Sequence, residues 1–114
     1  MPRRGEVWWA DLDPVVGREL GRKIRPVLVI SNNAMNDGPS EKVIVVPSTT
    51  QSGGAPSKVP FTVRTAQGPR TSFFCCEDVR GVSTERLRRR MASTLVPASV
   101  LARVEDALRT LMKL

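Results

Sequence analysis

Aliphatic residues in this chain come in short runs bounded by prolines, glycines and polar turn residues. Two of these runs, Pro26–Ser31 (PVLVIS) and Lys42–Pro47 (KVIVVP), are apolar at successive positions rather than alternate ones. Such a run reads as a strand covered on both faces, so both are predicted to be strands, and the second central. Gly5–Leu12 (GEVWWADL) is rich in β-formers and predicts a first strand. Val59–Arg64 (VPFTVR) and Thr71–Cys76 (TSFFCC) flank the turn AQGPR and predict two more, with Glu77–Val82 continuing as a short strand or bend. Residues 13–24 carry Pro14, Gly17 and Gly21 with mixed charge and no period, which predicts a long loop. Asn32–Glu41 is turn chemistry. Ser83–Arg90 (STERLRRR) predicts a helical turn capped by Ser83. A sustained helical period appears at the end, where Pro97 suits a first turn and Val100, Leu101, Val104, Leu108 and Leu111 fall on one stripe. Glu105 and Arg109 stand at the stabilising i, i+4 spacing. The sum is a mainly β protein with helices (α+β): one domain over residues 1–114, built as a small, strongly bent barrel.

The totals narrow the class. A chain of 114 residues, 40% hydrophobic, can bury one core and is not composed like a disordered protein. Neither a membrane-length apolar run nor a signal-peptide pattern is present, which predicts a soluble, cytosolic protein with no membrane partner. Lys+Arg 18 against Asp+Glu 11, with arginine in excess of lysine, favours phosphate or carboxylate partners. Cys75 and Cys76 are adjacent, which disfavours a disulfide between them and predicts two small half-buried residues. Histidine is absent, and with it go the commonest general base and the usual Ser/His, Cys/His and zinc sites. Catalysis, if any, rests on Arg, Lys, carboxylates or hydroxyls. The glycine-rich SGGAPSK lacks the ending of a P-loop. RLRRR reads as a solvated face or a set of phosphate contacts. Trp8 and Trp9 alternate across a strand, one predicted in the core and one exposed; they, Phe73, Phe74 and arginine planes are the available stacking platforms.

In KIRPVLVI, Arg25 precedes the proline that opens the second strand. Proline is tolerated at a strand's first position, and the residue before it is biased to extended geometry. A permanent charge there is either an ordinary loop charge or a guanidinium aimed at a ligand. Nothing in composition chooses between them.

The runs RGEVWWADLDPVVGRELG, RPVLVISN, VIVVPSTTQ and CCEDVRGV, followed by the closing amphipathic helix, resemble the MazF/PemK toxins, in order and over nearly the whole chain. The resemblance implies an SH3-like barrel related to the gyrase poison CcdB. It implies a homodimer that cuts single-stranded RNA, usually mRNA, without metal or cofactor, leaving 2′,3′-cyclic phosphate and 5′-hydroxyl ends. It also implies silencing by a cognate antitoxin with a disordered acidic segment. The family's catalytic arginine falls on Arg25 and its threonine on Thr49; a loop glutamate falls on Glu19. RNA contacts are implied at Lys23, Ser48, Gln51, Glu77, Asp78 and Arg80, with Asp78 standing where the family commonly has glutamine. A carboxylate there repels phosphate or favours a donor-rich base edge, so the departure bears on the sequence cut. An arginine fork matches two phosphate oxygens and keeps its charge, whereas the same persistence makes it a poor free base. Thr49 is stiff at χ1 and can donate a hydroxyl, or can serve as an ordinary turn-capping threonine. Glu19 can take a proton or pair with Arg25. The other classes that fit such a barrel are a gyrase poison of the CcdB kind and a non-catalytic RNA-binding module.

Overall fold

A computed structural model describes residues 1–12, 24–91 and 96–114. Among these are seven strands, β1 (Val7–Asp11), β2 (Ile24–Val29), β3 (Lys42–Thr49), β4 (Lys58–Thr65), β5 (Gly68–Cys75), β6 (Arg80–Ser83) and β7 (Leu87–Arg90). A one-turn helix, α1 (Asn33–Asn36), follows β2, and α2 (Ala98–Met112) closes the chain.

Every pairing is antiparallel, and β3 is the hub. It pairs with β2 through Val27↔Pro47, with β6 through its first half, and with β5 through Ser48↔Phe74 and Thr49↔Phe73. The order is β4-β5-β3-β2-β1-β7, with β6 also on β3. The architecture is the expected mainly β fold with a C-terminal helix, but among the described residues the ladder is not closed: it ends at β4 and β7.

The continuous apolar runs are explained by two cores on opposite faces of β2 and β3. Val27, Val29, Val43 and Val45 pack with Ala10, Leu12 and Val82. Leu28 and Val46 pack with Val59, Phe61, Val63, Phe74 and the α2 residues Val104 and Leu108. Side chains alternate across a strand, so the four residues of VLVI, and Val43, Val45 and Val46 of VIVV, divide between the two cores. Phe61 and Phe74 lie parallel with ring centroids 3.8 Å apart.

Several expectations need correction. The helical turn after Ser83 is only Thr84–Arg86, capped by Ser83 as expected; Leu87–Arg90 is strand β7, paired with β1. Charged residues carry no β pattern of their own, and here the strand is stabilised by its neighbour's side chains. Arg88 pairs with Asp11 at 3.2 Å and Arg90 with Glu6 at 3.0 Å. Glu105 bonds Arg4 rather than Arg109, while Arg109 pairs with Asp106 at 3.0 Å, so Glu105 ties α2 to the N-terminal segment. Leu111, the last member of the apolar stripe, is half exposed. Both cysteines are fully buried and free rather than half-buried. Cys76 lies not in a strand but in a 3-10 turn, Cys76–Asp78. Trp8 and Trp9 are both partly exposed, and the turn after β2 contains α1, capped by the Asn32 side chain. No helix among the described residues is long and apolar enough to cross a membrane.

Candidate active site

Register brings the RP step of β2 beside the end of β3. The ladder ends with Val27 opposite Pro47, and Pro26 and Ser48 are the residues that follow on the two strands. Ser48 is buried and clamps this step from two sides. Its hydroxyl donates to the Pro26 carbonyl at 2.6 Å, and its own carbonyl accepts from Arg25 Nη1 at 3.2 Å. Arg25 is therefore extended, as the following proline requires, and lies within β2 rather than before it. Its guanidinium is half-buried. Thr49, also half-buried, accepts the backbone N–H of Gln51 at 3.2 Å on its Oγ1. The turn-capping role and a donating role are thus compatible: the hydroxyl oxygen accepts from Gln51, and its proton remains to donate elsewhere.

Arg25, Ser48 and Thr49 line one cleft of about 250 Å³ with Trp9, Ile24, Pro26, Thr50, Val63, Thr65, Arg70 and Ser72. Two guanidinium groups and five hydroxyls line it, and no carboxylate does among the described residues. Arg70, Thr65 and Ser72 are absent from the sequence reading. They arrive through the β4–β5 hairpin, whose register sets Thr65 against Gly68 and Val63 against Arg70. Gly68 takes φ +105, open to glycine and strained for other residues, so the hairpin that delivers Arg70 depends on it. The signal for Arg70 was its place just after a tight turn, legible only once the register is known.

Of the other implied residues, Gln51, Glu77, Asp78 and Arg80 are not in the cleft lining. Glu19 and Lys23 lie outside the described residues. Gln51 is exposed just beyond β3. Glu77, Asp78 and Arg80 follow β5, and Arg80 pairs with Val45 on β3. Val45 and Thr49 are four residues apart, roughly 13 Å along a strand.

Glu77 belongs to a second polar cluster. Lys58 Nζ lies 2.7 Å from Glu77 Oε2 and 3.7 Å from Cys75 Sγ. Burial alone would raise the Glu77 carboxyl, but the hydrogen bonds from Lys58, its own backbone and Ser57 outweigh it and hold the group below its ordinary value. The bond to Glu77 raises Lys58 in return. Burial pushes the Cys75 thiol up and the Cys76 thiol up to about 11, so both are protonated and unreactive at neutral pH. Cys75, Glu77 and Asp78 bring ligand atoms within 4.8 Å of one another. The Lys58 ammonium bonds two of these three residues, so a cation is already seated there.

The comparisons agree with this architecture. The family model for PemK-like, MazF-like toxins of type II toxin–antitoxin systems matches residues 3–112. Endoribonuclease EndoA of Bacillus subtilis is 32% identical over 108 residues, covering 94% of this chain and 90% of the relative. The crystal structure of MazF from Deinococcus radiodurans superposes with a TM-score of 0.81 at 29% identity, over 99% of this chain and 97% of that one. A MazE–MazF structure from the same organism gives 0.74 at 29% identity, over 99% and 96%. With nearly the whole chain matched and the fold in agreement, the protein belongs to the PemK-like, MazF-like toxins of type II toxin–antitoxin systems.

Proposed function

We propose that this endoribonuclease toxin cuts single-stranded RNA at a specific short sequence, without a metal ion, in the cleft between Arg25 and Thr49. The observation that supports the reading is the lining: two guanidinium groups and five hydroxyls, with no carboxylate among the described residues. That composition suits a phosphodiester, whose charge grows as the reaction proceeds.

In the proposed step the 2′-oxygen bonds to the adjacent phosphorus and the bond to the 5′-oxygen breaks. The 2′-hydroxyl proton goes to a base and a proton is delivered to the departing 5′-oxygen, leaving a 2′,3′-cyclic phosphate and a 5′-hydroxyl. Arg25 stabilises the phosphorane with two donors, and Thr49 donates to a non-bridging oxygen. Ser48 acts through Arg25 and Pro26, as a positioning residue, because its hydroxyl is buried and committed to the Pro26 carbonyl. Glu19 is the candidate base. Gln51, Glu77, Asp78, Arg80 and Lys23 are candidate contacts to nucleotides beyond the reacting phosphate, where Asp78 selects a donor-bearing base edge. The substrate is mRNA met in the cytoplasm, and the working unit is a homodimer. A cognate acidic antitoxin competes for the same basic surface; the MazE–MazF complex from D. radiodurans supports a partner of that class.

Purified protein incubated with a long single-stranded RNA in EDTA is expected to give discrete fragments with 5′-hydroxyl ends. Intact RNA together with gyrase-dependent DNA breaks would replace this reading with that of a gyrase poison. Salt-sensitive binding without cuts would leave a binding module.

A further inference from the structure

The arginines of Arg86–Arg90 do not share one role. Arg86 donates to the Asp11 carbonyl at 3.1 Å, Arg88 pairs with the Asp11 carboxylate, and Arg90 pairs with Glu6. Each is engaged by an oxygen of the fold. Arg89 differs: its guanidinium carbon lies 5.6 Å from the centroid of the Trp9 ring. The contact follows from register, since Trp9 and Arg89 are direct partners across β1 and β7 and their side chains share a face. Arg89 is exposed, Trp9 is partly exposed, and Trp9 also lines the cleft with Arg25 and Thr49. On its other side Trp9 stands opposite Pro26, the residue that Ser48 clamps.

A guanidinium at this distance from an indole is within reach of its ring quadrupole and is attracted to its face. The pair therefore presents an aromatic ring and a planar cation side by side at the rim of the cleft. Unpaired bases stack on aromatic rings and on arginine planes alike, and a protein with few aromatics has few other places to hold one. We propose that the Trp9–Arg89 pair holds one unpaired nucleobase of the RNA, a neighbour of the nucleotide whose phosphate reacts at Arg25. The proposal rests on the ribonuclease reading of the cleft and adds to it a positioning site on β1 and β7.

The test uses the full-length protein and a single-stranded RNA oligonucleotide spanning a mapped cut, with a 2′-deoxy nucleotide at that cut so that it binds without being consumed. Arg89→Ala is expected to weaken binding by about tenfold or more, the size of one lost stacking contact. Arg89→Lys is expected to lose nearly as much, because it keeps the charge and removes the plane. Deleting one base next to the cut, as an abasic site, is expected to cost the wild type the same amount and to cost Arg89→Ala nothing further. In a Trp8→Phe background, saturating RNA is expected to quench Trp9 emission. Wild-type affinity in Arg89→Ala, full rescue by lysine, or abasic penalties that simply add would overturn the stacking site while leaving the cleft reading intact. An Arg89→Ala defect confined to antitoxin binding or to self-association would overturn it as well. If wild-type protein neither binds nor cuts the RNA, the ribonuclease reading itself fails and the platform falls with it.

Discussion

Two polar clusters lie on the same sheet, and they differ in what their charges face. At the Lys58 corner, one ammonium donates to both a carboxylate and a buried thiol. In the Arg25 cleft, guanidinium groups stand among hydroxyls, a carbonyl and an indole, with no carboxylate in the described lining. In the first arrangement ammonium and carboxylate offset each other's charge, and the pair contributes to stability. The second gathers two arginines and five serine or threonine residues in a concave site suited to an anion. The same residue types therefore serve different ends according to what the fold places around them.

The sharpest way to break this contrast is at Arg25. Arg25→Ala should lower the cleavage rate by on the order of 10²–10³ or more, because one positioned donor is worth roughly 3–4 kcal/mol at a developing charge. Arg25→Lys should be nearly as inactive, since a point charge does not span two oxygens. Thermal denaturation should show both variants folded, because Arg25 lies at the cleft edge, outside both hydrophobic cores. Wild-type cutting by Arg25→Ala would place the chemistry elsewhere.

Thr49→Val keeps the β-branched shape and removes the hydroxyl. A rate loss on the order of 10² is expected from the missing donor, with only a small change in melting temperature from the Gln51 amide losing its acceptor. A large stability loss with cleavage retained would assign Thr49 to the turn alone.

At the other cluster the expected effects reverse. Lys58→Met should change stability, by about 1 kcal/mol or less for so exposed a pair, and leave cleavage within a few-fold of wild type. The pH dependence carries a sign. Glu77 is lowered by folding, so its contribution is present above the ordinary carboxylate range and is lost as pH falls through the lowered folded value. Lys58 is raised, so its contribution is present below its ordinary value and is lost as pH rises through the raised one. Melting curves of wild type and Lys58→Met should therefore converge at both acidic and strongly alkaline pH. A gap that persists at both extremes would rule out the ion pair as its origin.

The smallest effect concerns the thiols. Cys75 and Cys76 should react with a thiol reagent at neutral pH only after denaturation, since both are buried and their pKa values are raised. Rapid labelling of the folded protein would mean that the corner opens readily.

What was legible in the sequence follows from how local each determinant is. VLVI and VIVV announce a two-faced core in any fold, so β2 and β3 could be read directly. Leu87–Arg90 could not, because what makes LRRR a strand is Asp11, Glu6 and Trp9 on a distant partner. The Glu105–Arg109 spacing was sound as helix chemistry but lost to Arg4, a competitor about a hundred residues away that spacing does not reveal. Arg25 and Thr49 were reachable through resemblance and Arg25 also through its proline. Arg70, Ser72 and Trp9 enter the cleft only through the registers of β4–β5 and β1–β2. Glu19 and Lys23 fall outside the described residues and keep the standing that resemblance lent them.

The most direct test of the central claim is to place a single 2′-deoxy nucleotide at a mapped cut site and assay cleavage in EDTA. The account predicts that the all-RNA strand yields a 2′,3′-cyclic phosphate and a 5′-hydroxyl and that the substituted strand stays intact at that position. Cleavage of the deoxy-substituted strand at the wild-type rate would contradict it.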